Sequence, residues 1–195
     1  LRLRHAGFRS ALLPLDVREV QAHIHVSPTV VRIERLEGQA GPAAFDAGGK
    51  LTWTGSEFSS DVTISMVADA ANAWSWIANA VEVGPRPDVE GVVRMQATVT
   101  GRVDEPRFAG QIQLKSVGMR IPTILTKPLH APASIDFDTR LSGGSLLAIR
   151  HVGLVLPPVQ IIGDGTLSLS EGMAFAGNVS SGAIALNKLP AGITL

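Results

Sequence analysis

The chain has 195 residues, and its 17 Lys plus Arg balance 17 Asp plus Glu, so no field of one sign argues for nucleic acid or an anionic surface as the main partner. Apolar residues make up 45% and charged ones 17%, too apolar for a disordered chain, yet no apolar run reaches the roughly 20 residues of a membrane-crossing helix. Cysteine is absent, which removes disulfides, thiolate metal sites and thiol nucleophiles but does not decide the redox compartment.

The chain opens on Leu1 without a methionine or a leader, and the expectation is an excerpt of a longer chain whose anchor lies elsewhere. Residues 1–4 alternate apolar and basic as a strand stub, and Ala11-Leu12-Leu13-Pro14-Leu15 is an apolar patch broken by proline. From Val20 onward, strands are expected around Ile24 and Val26, Val30 to Leu36, Ala43 to Ala47, Leu51 and Trp53, and Val62 to Met66. Gly38 to Pro42 reads as a turn, and Gly48-Gly49 as a bulge or turn. Residues 69–83 break the pattern. Asp69 is a good N-cap, Trp74, Ile77, Ala78 and Val81 recur at helical spacing, and Gly84-Pro85-Arg86-Pro87 stops the run, so a helix over 69–83 is expected to lie on a sheet.

A long hairpin is expected from Val89 to Met119. Val93, Met95, Ala97 and Val99 alternate with Arg94, Gln96, Thr98 and Thr100, and after a polar turn at Asp104-Glu105-Pro106, Ile112 and Leu114 alternate with Gln111, Gln113 and Lys115. Ile121 to Pro132, with its prolines, reads as an irregular connection or a helical turn. Further strands are expected at Ile135 and Phe137, Leu146 to Val152, Val159 to Ile162, Leu167 and Leu169, Phe175 to Val179, and Ala183 to Leu186. The whole reads as one mostly antiparallel β domain of about a dozen strands with one packed helix.

The chain also repeats itself, residues 22–67 matching 133–184. Ile33 falls on Ile149, Leu36 on Val152, Pro42 on Pro158, Gly49 on Gly165 and Leu51 on Leu167. Outside that ungapped block, Ile24 is matched to Ile135 and Val62 to Val179. A β-unit tiled along the chain implies an elongated sheet.

The inventory for catalysis is poor. There is no Gly-x-Ser-x-Gly elbow. His23 and His25 share a strand face at a spacing that can present two imidazoles to a metal, but the matched positions carry Ser134 and Asp136, which favours a solvated face. Asp136 and Asp138 could act as an acid/base pair, yet on an outward strand face they read as soluble surface. Gly163-Asp164-Gly165 precedes no helix, so it is a turn rather than a phosphate loop. The expectation is a chain with no catalytic residue, no metal and no cofactor.

What remains is the apolar side of the strands. Patterning alone leaves two possibilities, the core of a closed β-sandwich or an open trough for acyl chains, and favours the first. Met66, Met95 and Met119 would suit a deformable lining.

GVVRMQATVTGRVDEPRFAGQIQLKSVGMRIP resembles the recurring unit of the AsmA/TamB-like superfamily of Gram-negative bacteria, in which a strand ends at glycine and a polar turn with proline leads to a glycine-led return. VQAHIHVSPTVVRIERLEGQAGPAAFDAGGKLTW and ASIDFDTRLSGGSLLAIRHVGLVLPPVQIIGDGTLSL resemble its other unit, and the unit order looks closest to AsmA-like members. The resemblance covers most of residues 20–186. It implies a mostly β fold whose curved antiparallel sheet forms an elongated groove, a taco-like open half-barrel with one packed α-helix. It also implies a periplasmic, inner-membrane-anchored protein that carries phospholipid toward the outer membrane or supports outer-membrane assembly, with adjoining groove segments as neighbours. The lining would be Val93, Met95, Ala97, Val99, Ile112, Leu114, Ile135, Phe137, Leu167 and Leu169. The competing expectation is a structural or adhesion-type β-sandwich module that binds a protein through an edge strand.

Overall fold

Alternating apolar and polar side chains along β-branched runs commit most of this chain to strands. The structure, a computed structural model, describes residues 2–9, 16–80, 87–121, 125–157, 159–169 and 175–182. These form β1 (Arg2–Arg9), β2 (Asp16–Val26), β3 (Val30–Ala40), β4 (Ala43–Thr54), β5 (Glu57–Asp69), α1 (Ala70–Ala80), β6 (Asp88–Arg102), β7 (Arg107–Gln113), β8 (Val117–Ile121), β9 (Leu125–Lys127), β10 (Ser134–Ser142), β11 (Leu146–Leu156), β12 (Val159–Ser168) and β13 (Phe175–Ser181). Eleven strands pair in the order β1 to β7 and then β10 to β13, every pairing antiparallel, in a sheet that does not close into a barrel. The apolar patch at Ala11–Leu15 and the strand expected at Ala183–Leu186 lie outside the described residues.

Two short strands leave this path and make the one corner that matters for the site. β6 serves two ladders: from Val92 onward it pairs with β5, from Arg94 onward also with β7, while Asp88–Gly91 pairs with β8, which in turn pairs with β9. The split falls at Gly91. Its φ is +94°, and a Cβ there would lie 2.1 Å from Ser116 O, the same oxygen that accepts from Val92 N at 2.9 Å. The expected hairpin from Val89 to Met119 is therefore divided: β7 ends at Gln113, and the chain steps off the sheet before β8 returns to the first residues of β6. The stretch expected to be irregular after Ile121 holds β9, which alternation could not reveal in three residues.

Directly opposed residues of an antiparallel ladder share a face, so the register can be followed across the sheet. One row runs Phe45, Met66, Met95, Ile112, Ile135, Leu154, Ile161. The next, two residues along each strand, runs Leu36, Ala47, Ile64, Ala97, Gly110, Phe137, Val152, Gly163, Val179. On the other face the corresponding row is Asp46, Ser65, Gln96, Gln111, Asp136. Along these rows one face is apolar from β4 to β12 and the other polar from β4 to β10.

The closed sandwich that patterning favours does not form: among the described residues the long sheet stays open, and α1 and the short β8–β9 pair stand over only part of its apolar face. Alternation demands a cover without saying what the cover is. Among the described residues the buried apolar set consists almost wholly of Ala and Val, with Leu156 the one larger side chain, while Met66, Met95, Ile112, Ile135 and Phe137 stay half-buried.

The two matched regions pair alike. All nine partner pairs of β3 with β4 recur in β11 with β12, each residue 116 positions later, from Val30↔Thr52 and Leu146↔Ser168 to Ala40↔Ala43 and Leu156↔Val159. The register shift between Ile33 and Leu36 recurs between Ile149 and Val152. Gly49 and Gly165 both take positive φ, and a Cβ at either would meet the backbone of the next strand, Asp61 O at 2.2 Å and Ala176 O at 2.4 Å. The flanking strands correct the sequence alignment. Thr139, not Ile135, holds the place of Ile24, and Gly177, not Val179, that of Val62. Side-chain likeness misled there because the ladder is kept by bulges, which no residue match reports.

Helix α1 follows β5 directly. Asp69 Oδ1 accepts from Asn72 N at 2.9 Å, the expected N-cap, and the helix is described to Ala80, with 81–86 outside the described residues. Asp69→Ala is expected to cost about 1 kcal/mol in chemical denaturation, with Asp69→Asn close to neutral.

Candidate functional site

The apolar face is where the sequence-expected lining residues meet. Val93, Met95, Ala97 and Val99 point to one side of β6; Met95 opposes Ile112, Ile112 opposes Ile135, and Phe137 opposes Gly110, itself opposite Ala97. Leu167 joins the same face through Leu147 and Leu141, farther along the sheet. Leu169 lies just past β12, its N donating to Ser145 O at 2.7 Å. Ala97 is buried and the other nine are half-buried, so the ten form a surface rather than a core.

Five of the ten, Val93, Met95, Ile112, Leu114 and Ile135, also line a cavity of about 430 Å³ where α1 lies over the sheet. That volume is in the range of small-molecule sites, ~300–1,000 Å³. All sixteen lining residues are apolar. The floor adds Ala43, Met66 and Ala68; the helix contributes Ala70, Ala73 and Trp74; and the corner of β6 and β8 closes the end with Val89, Val117 and Met119. The three methionines at 66, 95 and 119 all reach it. Alanines make the room: Ala40, Ala43, Ala68, Ala70 and Ala73 stand where larger side chains would fill the space between helix and sheet.

Sequence reasoning expected a helix lying on the sheet and Met119 in a lining, but not that Ala70, Ala73, Trp74 and Val117 would share one cavity with it. Val117 and Met119 read as the end of the long hairpin, and an alanine among valines carries no signal of being spacing rather than filler.

Two polar groups belong to this corner, one on a lining residue and one on the strand paired with the β8 wall. The indole Nε1 of Trp74 is buried and, among the described residues, has no hydrogen-bond partner. Lys127 is 4% exposed, and its ammonium donates to Val117 O at 2.5 Å and Pro128 O at 3.4 Å. Burial pushes that ammonium below the ordinary lysine range, and among the described residues no carboxylate pairs with it.

The remaining candidates sit on the polar face or the rim. His23 Nδ1 pairs with Glu34 Oε2 at 2.8 Å, and among the described residues no group of three or more His, Asp or Glu could hold a metal. Asp136 pairs with His151 Nε2. Asp138 takes two bonds from Arg107, at 2.8 and 2.7 Å, which hold its carboxyl below the usual range. That environment keeps Asp138 ionised, unlike the raised carboxyl a general acid needs. Because its folded pKa is depressed, the stabilisation is present above the ordinary carboxylate value and is lost as pH falls through the folded one. Asp138→Asn is expected to cost about 1 kcal/mol or less at neutral pH and nothing in strong acid, read from denaturation at the two pH values. The turn of the β6–β7 hairpin is pinned likewise, Arg102 on Asp104 and Arg140 on Glu105, and serves as rim.

No family model matches the sequence, and neither a known protein nor a solved structure is similar enough to place it.

Proposed function

We propose that this chain is a non-enzymatic segment of an inner-membrane-anchored periplasmic protein of the AsmA/TamB-like kind, carrying phospholipid along an apolar β-groove between the membranes or supporting outer-membrane assembly. The observation that carries the reading is the continuous apolar face, half-exposed across the sheet and leading into a cavity without one polar lining residue. A soluble sheet that leaves such a strip uncovered exposes more apolar surface than monomers normally tolerate. An acyl chain gains about 0.8 kcal/mol for each CH₂ it buries. Ten shielded methylenes would therefore supply about 8 kcal/mol, the scale of micromolar affinity before ordering costs. No catalytic group is needed for that. The matching registers of β3–β4 and β11–β12 fit a wall built from repeated staves, which adjoining segments of the same chain would extend.

The test is native mass spectrometry and lipid extraction of the purified chain. Co-purifying phospholipid or fatty acid is the expected result; a lipid-free protein that also fails to take up a fluorescent acyl probe would end the reading.

One observation favours a second reading. β13 is exposed throughout, Phe175 at 52% and Val179 at 69%, and its outer edge has no strand neighbour among the described residues. Such an edge can accept a strand from a protein partner. On that reading, proline at Asn178 abolishes binding of the partner while leaving lipid content unchanged.

A further inference from the structure

Lys127 is the one cation of the described residues that is buried; it is not one of the residues that line the cavity, but its ammonium is tied to the cavity wall by donating to Val117 O. In the β8–β9 ladder it directly opposes Met119, so it shares a face with Met119 and with Val117 two residues earlier, both of which line the cavity. Among the described residues, the carboxylates on the paired strand lie elsewhere: Glu90 and Asp88 oppose Gly118 and Arg120, on the other face of the same strands. Glu90 packs over Gly118, where a Cβ would meet its Oε1 at 2.7 Å.

A buried ammonium is costly unless paired or fully hydrogen-bonded. Lys127 has three donors, and two are met by the carbonyls of Val117 and Pro128. The second polar group left wanting is also a donor, Trp74 Nε1, whose side chain lines the same cavity. Both unmet groups call for an acceptor, and the lining side chains offer none. A ligand that brings oxygens would complete the set, and one that brings a negative charge would also neutralise the buried cation.

We infer that Lys127 is a head-group anchor, taking the carboxylate or phosphate of an amphiphile whose chain lies in the cavity beneath α1. This rests on the acyl-chain reading above and adds a charge preference to it.

The experiment compares three probes of equal chain length, dodecanol, dodecanoate and dodecyl phosphate, by calorimetry on the purified wild-type chain, Lys127→Met and Lys127→Arg. The wild type is expected to bind at least one of the two anions about tenfold or more tighter than the alcohol. The stronger anion tells carboxylate from phosphate. In Lys127→Met that preference should vanish with dodecanol binding unchanged, and in Lys127→Arg it should persist. A lysine that only ties β9 to β8 would leave the preference intact in Lys127→Met, and that result overturns the inference. Equal binding of all three by the wild type also overturns it, whether or not the methionine variant folds, while leaving the acyl-chain reading standing. Binding of none of the three sinks both.

Discussion

Replacing Gly91 with valine is expected to cost about 4 kcal/mol or more, a large share of the ~5–15 kcal/mol that holds a domain folded. Two effects add. The residue sits at φ +94°, where a β-branched side chain is strained by ~1–3 kcal/mol, and its Cβ would stand 2.1 Å from Ser116 O. The obstruction is backbone, so no rotamer relieves it. What must give is the step from β7 to β8, and with it the wall that carries Val117 and Met119 into the cavity. Gly55 is the control: its φ is +63° but nothing lies within 4 Å of the added Cβ, so Gly55→Ala should lose only the backbone term, about 1 kcal/mol. Urea denaturation of the two variants measures the difference. Equal, small losses would mean that the corner is not built on Gly91.

Ala68→Phe carries the largest expected effect on ligand. Ala68 opposes Ala43 and Val93 on the cavity floor and is 8% exposed, so a phenyl ring there occupies the space beneath α1. Overpacking of this kind costs ~1–3 kcal/mol, within what the fold can absorb. Uptake of an acyl probe by the cavity should fall at least about tenfold, the equivalent of about two buried methylenes. Ala109→Phe, in a strand position that faces the polar side opposite Thr98 and Asp138, should leave uptake unchanged. Equal losses in both variants would point to general destabilisation rather than to a filled cavity.

How far the sequence carried the fold follows from which physical signal was at work. Period-2 alternation on β6, β7 and β10 placed Val93, Met95, Ala97, Val99, Ile112, Ile135 and Phe137 on one face, because a strand has only two sides and the pairing does not alter which is which. Asp69 marked the helix start because a cap needs just one side chain and one backbone N–H. Openness was not legible. The same alternation builds a sandwich or a trough, and the outcome depends on whether a second layer exists to cover the face. Nor were the β8–β9 corner and the walls of the cavity, which follow from Gly91 and Ser116 meeting across 25 residues of chain. Lys127 was silent for another reason: a lysine near prolines reads as surface, and only the pairing with Met119 turns it inward.

The most direct test of the proposed role is photo-crosslinking in Gram-negative cells, with benzoylphenylalanine placed at Met95 or at Gln96. Neighbours in sequence, they lie on opposite faces of β6: Met95 at the cavity, Gln96 exposed on the polar side. The acyl-groove account expects lipid adducts at Met95 and essentially none at Gln96. Equal labelling at both positions, or protein adducts alone at Met95, would contradict it.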